Sequence, residues 1–471
     1  MYFTITISTT FASVDFPDTP AGRRAKEILQ LINSESSLTP KEYVRQNYSE
    51  GFKSRVPENS WGGAITQIRN MAGQMNLASI IKSEPYEIEY VVQSVSNKTS
   101  FTIYIAVEKE SPNLISAMRL SPGGAADNTA PPQANKKEEV GKPDIEKIKI
   151  FFAEQAKLDK FSGSALVARD GKPLLHETCG YANKRFKVPN KPDTKFNLAS
   201  LNKSFTSVAI LQLVEAGKIK IDDPVGKYLD YFPKDIAEKV KIRHLLNMTN
   251  GWGDYWGNEY YLAHKDELRS VSDYIEFIKN IPLSFEPDTK NQHSNIGFEV
   301  AGAIIEKVTG MDYFEYIREK IYKPAGMSNS DSYDRDGPVD NLAVGYTNGN
   351  SMDKINTGYN WENTYMLAPR GTPAGGGYST AEDMLKYDTA IRIGKLVGKE
   401  YINFMNNQYR GNIGDPYDQQ RIPRGAGGAL GASTFYARDN KNGYTIIVLT
   451  NYDHPTAIDT GNEIIELLGL E

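Results

Sequence analysis

Cysteine occurs once in this chain of 471 residues, at Cys179. A single thiol rules out an internal disulfide framework and a cysteine-based zinc cluster, and Cys179 reads as a small strand residue. Histidine is almost as scarce. The five histidines (His176, His244, His264, His293, His454) show no paired metal-ligand spacing and no His-Glu-x-x-His occurs, so no metal and no other cofactor is expected. Long apolar runs are missing too: none approaches the ~18 residues of a membrane helix, which excludes a membrane span. The net charge is only −5, with no basic run carrying interleaved aromatics, and this excludes a nucleic-acid partner. Residues 1–12 are moderately apolar but have no basic flank, and read either as a clipped or poor signal peptide or as a first strand.

At 471 residues the chain exceeds what one hydrophobic core usually serves, so two domains are expected. Thr19-Pro20 opens a helix over 21–33. Thr39-Pro40-Lys41-Glu42 is a capping box with proline in the first turn, opening a short helix through Tyr48. A third helical pattern runs over 61–75. Segments 86–95, 100–107 and 114–120 alternate apolar and polar residues between turn signals, which predicts three antiparallel strands. Residues 1–120 are therefore expected to form a small α+β domain with an accessory binding or scaffolding role. Over 121–144 the composition shifts to proline, glycine, alanine and paired charges, the signature of a flexible linker.

The second domain, 145–471, begins with a helix over 145–158. Strands follow at 163–168 and 173–180, joined by Asp170-Gly171, a strong hairpin signal. Strands at 432–437 and 444–451 and a helix over 456–468 close the chain. This pattern predicts one antiparallel sheet built from both ends of the domain, flanked by helices, with a largely helical subdomain inserted between.

The insertion opens with Phe196-Asn197-Leu198-Ala199-Ser200-Leu201-Asn202-Lys203-Ser204-Phe205. Ser200 and Lys203 are three residues apart, a spacing that puts a hydroxyl and an amine on one helical face. Lysine can take a serine proton if burial lowers its pKa, and the apolar run from Phe205 to Val214 predicts such burial. A serine ahead of an apolar helix also serves as a plain N-cap, and this motif alone leaves both readings open. Trp252, Tyr255, Trp256, Tyr260 and Tyr261 read as core packing or as a pocket wall, and Gly375-Gly376-Gly377 as a loop near the site.

Further segments follow in a fixed order. These are Gly217-Lys218-Ile219, Ile242-Arg243-His244-Leu245-Leu246, His293-Ser294-Asn295-Ile296-Gly297-Phe298, Pro324-Ala325-Gly326-Met327, Ala374 to Thr380, and Gly425 to Gly431. Together with Ser200-x-x-Lys203 they resemble the β-lactamase-related serine hydrolases, the family of class C β-lactamases, D,D-peptidases and family VIII esterases. The first domain resembles the cystatin-like or nuclear-transport-factor-like domains found ahead of some serine hydrolases.

The resemblance implies a β-lactamase/transpeptidase-like fold in which Ser200 is acylated and Lys203 is its base. The family's Tyr-x-Asn element reads His293-Ser294-Asn295, which implies that Asn295 orients the substrate and leaves His293 as a replacement proton shuttle or a space-filler. The family's Lys-Thr-Gly or His-x-Gly element reads Ala426-Gly427-Gly428, with an oxyanion site implied at the N–H groups of Ser200 and Ala429 beside Gly428. The methyl of Ala426 removes the usual carboxylate-recognising side chain. The expected function is hydrolysis of a carboxylic ester or related acyl bond, with a small-molecule or peptide acyl substrate. The alternatives are a D-amino-acid peptidase or β-lactamase, and a non-catalytic binding protein on the same fold. The family implies a periplasmic or secreted location, otherwise a cytoplasmic one.

Overall fold

The computed structural model describes residues 15–53, 65–66, 68–69, 73–96, 100–122, 145–348, 361–415 and 423–470. The chain divides into two compact units, Met1–Lys137 and Glu138–Glu471.

In the first unit α1 (Pro20–Ile32) starts where the Thr19 hydroxyl accepts the Gly22 N–H at 3.0 Å. Helix α2 (Pro40–Asn47) has the expected capping box, the Glu42 N–H donating to Thr39 Oγ1 and the Thr39 N–H to the Glu42 carboxylate. Strands β1 (Met75–Ser83), β2 (Glu87–Ser94), β3 (Ser100–Val107) and β4 (Ile115–Pro122) form an antiparallel meander in sequence order. Ala21, Ala25, Ile28 and Leu31 form one stripe of α1 and pack with Ile88, Tyr90, Ile103 and Ile105 of the sheet.

Two expectations are corrected here. Met75 begins a fourth strand instead of ending a helix, and of the expected third helix 65–66 and 68–69 are described as helical while 73–75 are not helical. The register of β1 shifts twice, between Leu77 and Ser79 and between Ile80 and Lys82, so its side chains lose the period-two pattern. Strand β4 runs to Pro122, two residues into the expected linker. The rest of that linker and residues 1–12 lie outside the described residues.

The second unit opens with α3 (Ile145–Lys157), β5 (Gly163–Arg169) and β6 (Lys172–Cys179). Asp170 and Gly171 take φ of 52° and 76°, the left-handed pair that a two-residue hairpin of this twist requires. The insertion contributes α4 (Lys203–Glu215), α5 (Ile296–Thr309) and α6 (Ala381–Arg392). The chain returns as β7 (Arg424–Ala429), β8 (Ala432–Asp439), β9 (Tyr444–Thr450) and α7 (Thr456–Leu467).

The sheet order is β7-β8-β9-β5-β6, antiparallel throughout, so the two ends of the unit meet where β9 pairs with β5. Its faces divide by alternation. Ala165, Val167, Ile446 and Val448 pack under α3 and α7. Leu166, Ala168, Ile447 and Leu449 join the core that holds α4 and α5. Helix α4 is buried almost all round, as the spread of Phe205, Val208, Ala209, Ile210, Leu211, Leu213 and Val214 over most of its sides predicted. No helix among the described residues is long and apolar enough to cross a membrane.

Candidate active site

Ser200 sits in a 3₁₀ turn, Ala199–Asn202, wedged between the sheet and the insertion. Ala199 is held at φ 45°, a left-handed conformation that costs a non-glycine residue energy and needs outside support. That support is visible. The Ala199 N–H donates to Asn197 Oδ1 at 2.8 Å, the Gly376 N–H donates to the Ala199 carbonyl at 3.2 Å, and Asn202 Nδ2 donates to the Thr372 carbonyl at 2.9 Å. Gly375 to Gly377 thus clasp the turn from outside.

Lys203, the first residue of α4, is 5% exposed. Its Nζ lies 3.0 Å from Ser200 Oγ, 2.6 Å from Asn295 Oδ1 and 2.5 Å from the Ala374 carbonyl. Burial lowers its pKa to about 8, and the nearby carboxylates of Asp254 and Glu299 keep it from falling further. Asn295, just ahead of α5, donates from Nδ2 to both Asp254 oxygens at 3.0 and 2.9 Å. Asp254 therefore fixes which way the amide points, its oxygen towards Lys203.

His293 is not in hydrogen-bond contact with Ser200 or Lys203. Its Nδ1 lies 3.2 Å from Asp254 Oδ2, and its half-exposed ring edges a cavity of about 750 Å³ that also touches Ser200, Lys203 and Ala426. On the other side of Ser200 lies a narrower cavity of about 60 Å³, bounded by Asn295, Gly428, Ala429 and Arg335. Tyr255, Trp256, Tyr261 and Tyr274 wall it. The aromatic cluster therefore splits: Tyr255, Trp256 and Tyr261 face the cavity, while Trp252 is fully buried with its Nε1–H on the Ile281 carbonyl.

Strand β7 passes directly over the Ser200 turn. A Cβ on Gly427 would stand 2.6 Å from the Leu198 carbonyl oxygen and 2.8 Å from the Ser200 nitrogen, so only glycine lets the strand lie this close. Gly428 and Ala429 continue past Ser200, and the exposed methyl of Ala426 presents no polar group.

Three groups beside Ser200 were absent from the sequence reading. Asp254 joins Asn295 to His293. Glu299 is fully buried; its carboxylate accepts from Thr372 Oγ1 at 2.6 Å and the Tyr255 hydroxyl at 3.1 Å, and burial raises its pKa to about 7. Glu299 is the single charge between Ile296 and Ile305, and that isolation was the available signal. Arg335 is the third, and nothing local in Asp334-Arg335-Asp336 marks it. Among the described residues no cluster of three or more His, Cys, Asp or Glu side chains is arranged to hold a metal.

An antiparallel sheet with a Ser-x-x-Lys pair at its seam with a helical insertion defines a β-lactamase/transpeptidase-like fold. A family profile described as Beta-lactamase matches residues 150–470, and the chain belongs to this family of serine hydrolases. It is similar to penicillin-binding protein 4* of Bacillus subtilis (strain 168), 31% identical over an alignment of 330 residues, with 66% of this chain and 72% of that protein covered. Among solved structures it is similar to the penicillin binding protein from Bacillus halodurans, with a TM-score of 0.60 and 28% identity over 69% of this chain and 99% of that one. EstCE1, a hydrolase with promiscuous acyltransferase activity, shares the fold at a TM-score of 0.57 and 21% identity, covering 69% of this chain and 98% of that one.

Proposed function

We propose that this protein cleaves a carboxylic ester or related acyl bond through an acyl-Ser200 intermediate. The observation that carries the proposal is the buried, depressed-pKa amine of Lys203 at 3.0 Å from Ser200 Oγ. Neutral Lys203 takes the hydroxyl proton as Oγ bonds to the carbonyl carbon. The N–H groups of Ser200 and Ala429 receive the oxyanion. Collapse breaks the bond to the leaving oxygen, which takes the proton back from Lys203, and water then hydrolyses the acyl-enzyme. Asn295, anchored by Asp254, orients Lys203 and the substrate. His293 serves deacylation: with Nδ1–H on Asp254, its Nε2 is left as the acceptor that draws a proton from water.

A fluorophosphonate probe should label the native protein and spare Ser200→Ala; equal labelling of both would sink the assignment. Intact-mass spectra during turnover of a p-nitrophenyl ester should show a longer-lived acyl-enzyme in His293→Phe than in the native protein, and an equal lifetime would leave His293 a space-filler. The likeness to a penicillin-binding protein favours a second reading, acylation by a β-lactam or a D-amino-acid peptide. The methyl at Ala426 argues against it, because an amine leaving group and a neighbouring carboxylate demand more help than an alkoxide. Turnover of a chromogenic cephalosporin in preference to short esters would reverse this choice.

A further inference from the structure

The narrow cavity beside Ser200 contains a charge that nothing in the proposed acyl transfer uses. Arg335 lies on its wall, and its Nε and Nη1 are buried with no hydrogen-bond partner. Its acidic neighbours in sequence do not serve it. Asp334 is taken by Arg370 at 2.8 Å and by Arg269 at 2.8 Å, while Asp336 is taken by Arg269 at 2.7 Å. Glu299 makes no ion pair with Arg335 either: its Oε1 accepts from Thr372 and Tyr255, and its Oε2 is buried without a hydrogen-bond partner. A buried guanidinium nitrogen without an acceptor forfeits its hydration, a cost recovered when a ligand supplies the acceptor.

The arrangement around Arg335 is that of a receptor. Arg269 and Arg370 grip Asp334 from both sides and fix the loop, and the Arg335 N–H donates to the Pro369 carbonyl at 2.8 Å. The rings of Tyr255, Trp256, Tyr261 and Tyr274 line the same cavity, and burial of Nε and Nη1 strengthens any charge-assisted bond formed there. A planar guanidinium matches a carboxylate better than any other side chain does. The cavity is too small for a long chain, so the group it takes is short.

We infer that Arg335 is a specificity-determining residue that binds a carboxylate on the acyl portion of the substrate, so that the preferred acyl group is a short dicarboxylic half-ester. This inference rests on the acyl-transfer reading of Ser200 and adds the class of acyl group that it takes.

The test compares p-nitrophenyl butyrate with mono-p-nitrophenyl succinate, acyl chains of equal length that differ in the terminal carboxylate. The native protein should favour the succinate by kcat/KM, with the difference in KM; equal or inverted preference overturns the inference whatever any variant does. In Arg335→Met the succinate-to-butyrate ratio should fall about 10- to 100-fold, and Arg335→Lys should recover part of it. A ratio unchanged in Arg335→Met also overturns it. If neither ester is turned over and no fluorophosphonate label appears, the hydrolase reading has failed by itself. Calorimetry with succinate then decides: heat of binding to the native protein that is lost in Arg335→Met upholds the carboxylate site, and no heat rejects it.

Discussion

Two ionisable groups beside Ser200, Lys203 and Glu299, set each other's charge. Lys203 works as a base only when neutral, and its pKa of about 8 makes the neutral fraction grow as pH rises. Fluorophosphonate labelling should therefore accelerate through pH 8 and level off above it. The nearby Glu299 carboxylate, with a pKa raised to about 7, favours the charged amine. In Glu299→Gln that attraction is gone, so the labelling midpoint should move to lower pH; a midpoint that stays or rises would contradict the coupling. The same substitution has a stability consequence. A carboxyl whose folded pKa is raised stabilises the fold at low pH and loses that contribution as pH rises through 7, so Glu299→Gln should gain in melting temperature over the native protein at pH 8 and not at pH 5. The contact of Ser200 with Lys203 was legible in sequence because three-residue spacing in a helical turn fixes it locally. Asp254, Glu299 and Arg335 were not, because each reaches Ser200 only through folding of a different loop or helix. His293 was legible as a departure from a motif, but not its attachment to Asp254.

Hairpins and helices with clean periodicity were readable, and elements that break their own period were not. The Asp170-Gly171 turn and the capping box at Thr39 announce themselves because their chemistry is complete within four residues. Strand β1 was missed because two register shifts scramble its alternation. Strand β7 is poor in side chains that mark a strand, yet its closeness to the Ser200 turn depends on that poverty. Gly427→Ala would force its new methyl against the Leu198 carbonyl and the Ser200 nitrogen. The expected result is a loss of stability of about 1–3 kcal/mol by urea denaturation, together with a loss of labelling at Ser200 larger than the stability change explains. Full labelling in a folded Gly427→Ala would show that the strand need not lie so close.

The two units have separate hydrophobic cores, one in 1–137 and the others in 138–471. Two cooperative units should melt in two calorimetric transitions, and a covalent adduct on Ser200 should raise only one of them. A single transition shifted as a whole would refute that independence. The division into a small α+β unit and a sheet with a helical insertion was legible from composition and from strand patterns at both ends of the second unit. The pairing of β9 with β5, the step that joins those ends, has a further consequence in the order of synthesis. Ser200 and Lys203 leave the ribosome long before Arg424–Ala429, the strand that covers them, and before Tyr444–Thr450, which anchors that strand's neighbour to β5. Ser200 is therefore made early and enclosed late, so a nascent or truncated chain that stops short of β7, β8 and β9 displays this serine without the strand that passes over it.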